Sequence, residues 1–285
     1  MSYFEKYIRS SDGLSLYVRD YKPVQERGRP ILCLAGLTRN SKDFAEIAQE
    51  ICEMGRRVVC LDYRGRGQSD YDEDWSNYDP KVYVSDIFSI CTALNLHGCT
   101  FIGTSLGGLL TMAMAVVAPG LVHSVVLNDV GPDLNEEGLQ KIIAYTQDNT
   151  PVTNLEGAVK KLKSYYRDEE GFVDKDWMAV AKNTYKLDKG QYIPNWDVKI
   201  AENLKLKKSE EERHDLWPYF FGLGKRSVLV IRGAESNVFT HETYTKMCES
   251  LENIQGIEIK NVGHAPTLSE PEAAKALYTF IKNQK

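Results

Sequence analysis

The stretch Cys99-Thr100-Phe101-Ile102-Gly103-Thr104-Ser105-Leu106-Gly107-Gly108-Leu109-Leu110-Thr111-Met112-Ala113-Met114-Ala115 decides how the rest of this chain is read. It runs from an apolar strand-like segment, through a sharp glycine-flanked turn, into a helix-forming segment. A serine on such a turn projects its hydroxyl above the sheet edge, where a base and a substrate carbonyl both reach it. The glycines have a steric task, because side chains beside the serine would collide with the neighbouring strand and helix. The pentapeptide around Ser105 is short enough to arise by chance. Its setting has to carry the reading.

On either side of this turn, apolar segments alternate with helical patterns. Pro30-Ile31-Leu32-Cys33-Leu34-Ala35 and Arg57-Val58-Val59-Cys60-Leu61 are continuous apolar runs, as buried parallel strands are. Val122 to Leu127, Ser227 to Ile231 and Gln255 to Lys260 supply three more strands. Helical spacing of apolar residues marks Ser41 to Met54 and Pro80 to Leu94. The alternation predicts an α/β fold built on a doubly wound, mostly parallel sheet. Ahead of it, Lys6 to Arg9 and Leu14 to Arg19 flank a Ser-Asp-Gly turn and read as a hairpin with one wetted face. Residues 133–222 read almost entirely as helix. They predict a helical cap inserted into a core formed by residues 1–132 and 223–285.

Composition narrows the function. The chain has 285 residues, of which 42% are hydrophobic and 26% charged, which is ordinary for a soluble globular protein and supports one large domain with an insertion or two small domains. A net charge of -5 argues against a nucleic-acid partner. The lysine clusters, such as Lys160-Lys161-Leu162-Lys163 and then Lys205, Lys207 and Lys208, are interleaved with acids and read as solvated helix faces. The six cysteines form no C-x-x-C pair and no Cys/His cluster with metal-ligand spacing, so neither a disulfide framework, a metal nor a cofactor is expected. No apolar run approaches the roughly 20 residues needed to span a bilayer, and the start lacks a signal-peptide pattern. A cytoplasmic protein acting on a small-molecule substrate is the expectation.

The last strand leads into Asn261-Val262-Gly263-His264-Ala265-Pro266, which puts His264 past a strand end on the same sheet edge as Ser105. Open α/β sheets build their sites on that edge. Further segments join this pair: Gly36-Leu37-Thr38-Arg39-Asn40-Ser41, Asp62-Tyr63-Arg64-Gly65-Arg66-Gly67-Gln68-Ser69 and Asn128-Asp129-Val130-Gly131-Pro132. With these motifs in this order, the chain resembles the α/β-hydrolases with a helical cap over nearly its whole length. The resemblance implies that Ser105 is the nucleophile and His264 its base. It also implies that the amides of Leu37 and Leu106 hold the oxyanion, at about 3 to 4 kcal/mol per donor. Many relatives carry His-Gly where this chain has Ala35-Gly36. The donor is main chain, so the departure reshapes the pocket more than it weakens the hole.

The third member of the constellation is less direct. Relatives place an Asp after the strand that here is Ser227 to Ile231, and in Gly233-Ala234-Glu235-Ser236-Asn237 that place falls to Asn237. Asparagine can accept the imidazole N–H but brings no charge, and the Asp-to-Asn exchange in a serine-protease triad costs about 10⁴ in kcat. Three residues therefore compete: Asn237 itself, Glu235 on the same loop, and Asp129 at the end of the preceding strand. Certain haloalkane dehalogenases take their acid from the position of Asp129. Arg39 and Asn40, beside the oxyanion loop, and Trp217 in the cap are candidate substrate contacts. Arg64 and Arg66 read either as braces for their loop or as contacts to an anionic substrate. His97, His123, His214 and His241 read as surface or capping residues. The expected function is hydrolysis of a small carboxylic ester or lactone through an acyl-enzyme. A carbon–carbon bond hydrolase or a cofactor-free haloperoxidase would use the same residues. Asn237 favours a further alternative, a ligand-binding homologue without catalysis.

Overall fold

A short strand that is apolar throughout buries both faces, and two helical layers are needed to cover it. That requirement organises the computed structural model of this chain, which describes residues 3–133, 135–165, 174–206 and 215–284. The chain opens with β1 (Phe4–Arg9), β2 (Ser15–Tyr21) and β3 (Ile31–Leu34), followed by α1 (Ala45–Glu53), β4 (Val58–Leu61) and α2 (Pro80–Ala93). Next come β5 (Cys99–Thr104), α3 (Leu106–Val117) and β6 (Val122–Asn128). An inserted segment then carries α4 (Glu136–Gln147), α5 (Leu155–Tyr165), α6 (Asp174–Thr184), β7 (Tyr185–Asp188), β8 (Gln191–Pro194), α7 (Ile200–Leu206) and α8 (Trp217–Phe221). The chain returns with β9 (Val228–Gly233), α9 (His241–Ser250), β10 (Ile254–Ile259) and α10 (Pro271–Asn283).

Eight strands form one sheet in the order β1-β2-β4-β3-β5-β6-β9-β10. The β1–β2 and β2–β4 pairs are antiparallel, and all the others are parallel. Successive side chains leave a strand on opposite faces, and the core divides accordingly. Leu32, Leu34, Val59, Leu61, Phe101, Val125 and Leu127 meet Ile87 of α2 and Leu110 of α3 on one side. Ile31, Cys33, Val58, Cys60, Ile102 and Val126 meet Ile47 and Ile51 of α1 and Leu277 of α10 on the other. All six cysteines are free thiols, and five of them are buried. Among the described residues no helix is long and apolar enough to cross a membrane.

Three local expectations need correction. The hairpin does not keep one wetted face along both strands: β2 is almost wholly buried because it pairs on its far side with β4. Residues 41–54 do not start as one α-helix. The Asn40 side chain accepts from the Lys42 amide and opens a tight 3₁₀ turn, Ser41–Phe44, ahead of α1. The inserted segment is not purely helical, since β7 and β8 form an antiparallel ribbon with Asp188 opposite Gln191. Its two-residue loop, Lys189-Gly190, has φ of 46° and 81°, the positive pair that a type I′ hairpin needs. Parts of the helical reading, at 134, 166–173 and 207–214, lie outside the described residues, and so do His214, Lys207 and Lys208.

The turn that opens the sequence reading is packed as tightly as its glycines require. A Cβ on Gly107 would stand 2.0 Å from the Leu34 carbonyl oxygen and 2.9 Å from that of Ala35. A Cβ on Gly103 would meet the main chain of Gly107 and Gly108 at 2.5 Å. These obstacles are backbone, which cannot swing aside. Gly107→Ala is therefore expected to lower unfolding free energy by about 3 kcal/mol. Gly120→Ala, where a Cβ meets nothing within 4 Å, should move it by less than about 0.5 kcal/mol. Urea midpoints of the two variants check the pair.

Candidate active site

Ser105 joins β5 to α3 with φ 52° and ψ -117°, a backbone conformation that non-glycine residues adopt only where the surroundings hold it. Here the Ser105 N–H donates to Asn128 O at 3.0 Å, and its carbonyl accepts from the Gly108 and Leu109 amides at 2.9 and 3.2 Å. The turn is thus tied to the end of β6 on one side and to the first turn of α3 on the other.

His264 follows β10, on a loop fastened by Asn128. The Asn128 side-chain amide donates to Pro266 O at 2.8 Å and to Thr104 Oγ1 at 3.1 Å, linking the histidine loop to the residue before Ser105. The imidazole then spans two partners. Its Nε2 lies 3.0 Å from Ser105 Oγ, and its Nδ1 lies 2.7 Å from Asp129 Oδ2. With the proton on Nδ1 donated to Asp129, the Nε2 lone pair faces the serine hydroxyl, which is the tautomer a general base requires.

Asp129 is the carboxylate that meets the histidine. The other two candidates do not reach it: Asn237 and Glu235 are both exposed on the loop after β9. The reason lies in the sheet. β6 and β9 are neighbours in register from Val125 opposite Val228 to Asn128 opposite Ile231, so their ends open side by side under His264. The acid comes from the first of these ends and its support from the second. The Gly233 amide donates to Asp129 Oδ1 at 2.7 Å, and Ser236 Oγ donates to Oδ2 at 2.5 Å. A fully buried carboxylate thereby receives three donors, the imidazole included. The loop that the family pattern assigned to the acid supplies donors instead.

The amides of Leu37 and Leu106 are both unused among the described residues: neither donates a hydrogen bond to any protein acceptor. Leu106 is the first residue of α3, where the helix leaves its leading N–H groups unpaired and adds a favourable dipole for an anion. At Leu37 the preceding carbonyl, Gly36 O, accepts from Arg39 N at 3.1 Å inside a turn. A trans peptide sets N–H opposite to C=O, so the Leu37 amide points away from that turn. Gly36 adjoins Ser105: a Cβ there would lie 3.8 Å from Ser105 Cβ. Two carbonyls of the same loop are held from the far side, Ala35 O by Tyr63 Oη at 3.2 Å and Leu37 O by Arg66 Nε at 2.8 Å.

The three expected substrate contacts are engaged with protein. Arg39 pairs with Asp43 through two contacts of 2.6 Å and bonds Thr184 at the end of α6. The Asn40 side chain caps Lys42 and donates to Asn183 O at 2.8 Å. Both fasten the inserted segment to the core. Trp217 donates its indole N–H to Asp133 at 2.8 Å, with Lys246 Nζ 3.9 Å over its ring. Further straps run from Asn195 O to the Gly67 amide and from Asp197 to the Tyr78 hydroxyl and the Gly65 carbonyl. Arg64 is buried against Asp12, Asp72 and Asp86, each at 2.7 Å, and holds the Asp12 carboxyl down to about 2. His97, His123 and His241 stand away from Ser105; His97 meets Asn95 and His241 meets Glu258. Among the described residues no group of three or more His, Cys, Asp or Glu is placed to hold a metal ion.

Ser236, Gly233 and Asn128 support the site without having been picked out from the sequence. Asn128 carried a signal, since it precedes Asp129 at a strand end. Ser236 carried none, because its role depends on two strands, β6 ending at Asn128 and β9 starting at Val228, that residues 129–227 keep apart in sequence.

Comparison with known proteins agrees with this architecture. Residues 29–271 match the alpha/beta hydrolase fold family, and the chain belongs to it. It is similar to a 3-hydroxybutyrate-oligomer hydrolase of Cupriavidus necator, at 31% identity over 252 residues and 85% of each chain. It is also similar to a 2-(acetamidomethylene)succinate hydrolase of Mesorhizobium japonicum, at 25% identity over 90% of each. Among solved structures, an alpha/beta hydrolase from Novosphingobium aromaticivorans superposes with a TM-score of 0.93 at 35% identity, covering 99% of both chains.

Proposed function

We propose that the protein is a serine hydrolase that cleaves a small carboxylic ester or lactone. The observation that carries this is the continuous relay from Ser105 Oγ through His264 to Asp129, with contacts of 3.0 and 2.7 Å. Ser105 attacks the carbonyl carbon while its proton passes to His264 Nε2. The negative charge that develops on the carbonyl oxygen is met by the amides of Leu37 and Leu106. The tetrahedral intermediate collapses, the C–O bond breaks, and His264 returns the proton to the leaving alcohol. Water, deprotonated by the same imidazole, then attacks the acyl-serine and releases the acid. Asp129 orients the ring and stabilises the imidazolium formed in each half. Residues 133–222 act as a cap that sets the shape of the pocket.

The relatives support this reading, since one is named for hydrolysis of a hydroxyacid oligomer. The ligand-binding alternative drew its strength from Asn237, and the Asp129 carboxylate 2.7 Å from His264 Nδ1 supports the catalytic reading instead. The test is hydrolysis of 4-nitrophenyl esters of graded acyl length and of simple lactones. Turnover of at least one series above the buffer rate is expected. A well-folded protein inert toward every ester and lactone would overturn the proposal.

A further inference from the structure

The main chain of the loop after β9 is held by Arg232, a buried residue of that strand. Its guanidinium donates to the carbonyls of Phe239, Ala234 and Ser236 at 2.8, 3.2 and 3.4 Å. Glu258, opposite Arg232 in register on β10, supplies the counter-charge at 2.5 Å. Two amides of the loop are engaged as well. That of Glu235 donates to Val262 O at 2.9 Å, two residues before His264, and that of Ser236 donates to Gly233 O at 3.0 Å. None of these bonds uses the Ser236 side chain.

That side chain meets Asp129 instead. A hydroxyl has one hydrogen to give and two lone pairs to receive with. The amides of Val238 and Phe239 both donate to Ser236 Oγ, at 3.3 and 3.2 Å, which occupies the lone pairs. The hydrogen is left for Asp129 Oδ2 at 2.5 Å, a length typical of a hydroxyl on a carboxylate. Oδ2 is also the oxygen 2.7 Å from His264 Nδ1, while Oδ1 has the Gly233 amide. Without the hydroxyl, the loops would hold the carboxylate at Oδ1 alone. The Cβ–Cγ torsion of an aspartate is soft. The carboxylate could then turn and carry Oδ2 out of line with the imidazole.

We propose that Ser236 is a positioning residue of the relay, whose hydroxyl fixes the Asp129 carboxylate so that Oδ2 stays aligned with His264 Nδ1. This rests on the hydrolase reading and deepens it, since Ser236 acts on Ser105 only through Asp129 and His264. Its effect falls on kcat and not on substrate binding. The loop keeps its shape without the hydroxyl, because Arg232 and the main-chain bonds hold it.

The experiment uses Ser236→Ala, which deletes the hydroxyl, and Ser236→Cys, which keeps its shape with a weak donor. On a 4-nitrophenyl ester both should lose about tenfold or more in kcat, as loss of one hydrogen bond to a charged group supplies. KM should stay within about twofold of wild type, because the interaction lost is one made in the transition state. Added to Asp129→Asn, Ser236→Ala should cost no more than about twofold further, since residues acting as a unit do not add their losses. Asn237→Ala, at an exposed position of the same loop, should keep the wild-type kcat. A second arm needs no substrate. In proton NMR the His264 Nδ1 hydrogen held by Asp129 should give a downfield resonance, identified by its absence from His264→Gln, that broadens or moves upfield in Ser236→Ala. Ser236→Cys carries both arms if Ser236→Ala does not fold. An unchanged kcat, an equal loss in Asn237→Ala, a full further loss on top of Asp129→Asn, or an unchanged resonance overturns this inference and leaves the hydrolase reading intact. If the wild type cleaves no ester, the hydrolase reading is what fails, and the resonance alone decides the role of Ser236.

Discussion

Asp129→Asn is expected to lower kcat by about 10⁴ while leaving the fold in place. The carboxylate accepts from the Gly233 amide, from the Ser236 hydroxyl and from the imidazole. An asparagine can present only one oxygen to these three donors. If that oxygen stays with Gly233, its amide nitrogen faces His264 and donates to Nδ1. The proton then moves to Nε2, which points it at Ser105 and removes the base. The charge that stabilises the imidazolium is lost at the same time. Stability should fall as well, by about 1 to 3 kcal/mol, because buried donors lose an acceptor. Asn237→Asp and Glu235→Gln alter exposed side chains on the neighbouring loop and should change kcat by no more than about threefold. Steady-state rates of the three variants, each checked by its unfolding curve, decide which residue is the acid. A strong gain from Asn237→Asp would contradict the assignment to Asp129.

Ser105→Ala should have the larger effect, a loss of about 10⁶ in kcat, as removal of the nucleophile has in other triads. The more telling result is the double variant. Residues that act as one unit do not add their losses. Ser105→Ala with Asp129→Asn should therefore be no slower than Ser105→Ala alone, within about threefold. Any residual rate above buffer belongs to the Leu37 and Leu106 amides and to substrate binding. A double variant slower by a further 10⁴ would mean that Asp129 works independently of the serine.

Much of this was legible in the sequence. The apolar runs marked β3 to β6 and β9, and the Gly103-to-Gly107 spacing and Gly263-His264 put Ser105 and His264 on one sheet edge, because each signal is local to one strand end. The acid was harder. Whether His264 is met from the loop after β6 or after β9 depends on which of two adjacent strand ends reaches the imidazole. That is decided by tertiary register, with the inserted segment intervening in the chain. The partners of Arg39, Asn40 and Trp217 were hidden for a related reason: a polar or aromatic side chain near a strand end can meet a substrate, but an inserted segment also has to be held down. Asp43, Asn183, Thr184 and Asp133 claim them. The Lys189-Gly190 turn was readable and passed over, since the surrounding helical patterns outweighed a four-residue strand. Arg66 could not be separated from Arg64 without knowing where the aspartates fall.

The central claim is that Ser105 is the nucleophile, and covalent labelling tests it most directly. The protein would be treated with a fluorophosphonate, digested, and the adduct mapped by peptide mass spectrometry. One adduct per chain is expected, on Ser105, absent from Ser105→Ala and formed far more slowly in Asp129→Asn. Ester turnover that persists with no adduct on Ser105, or with the adduct on another residue, would contradict the account.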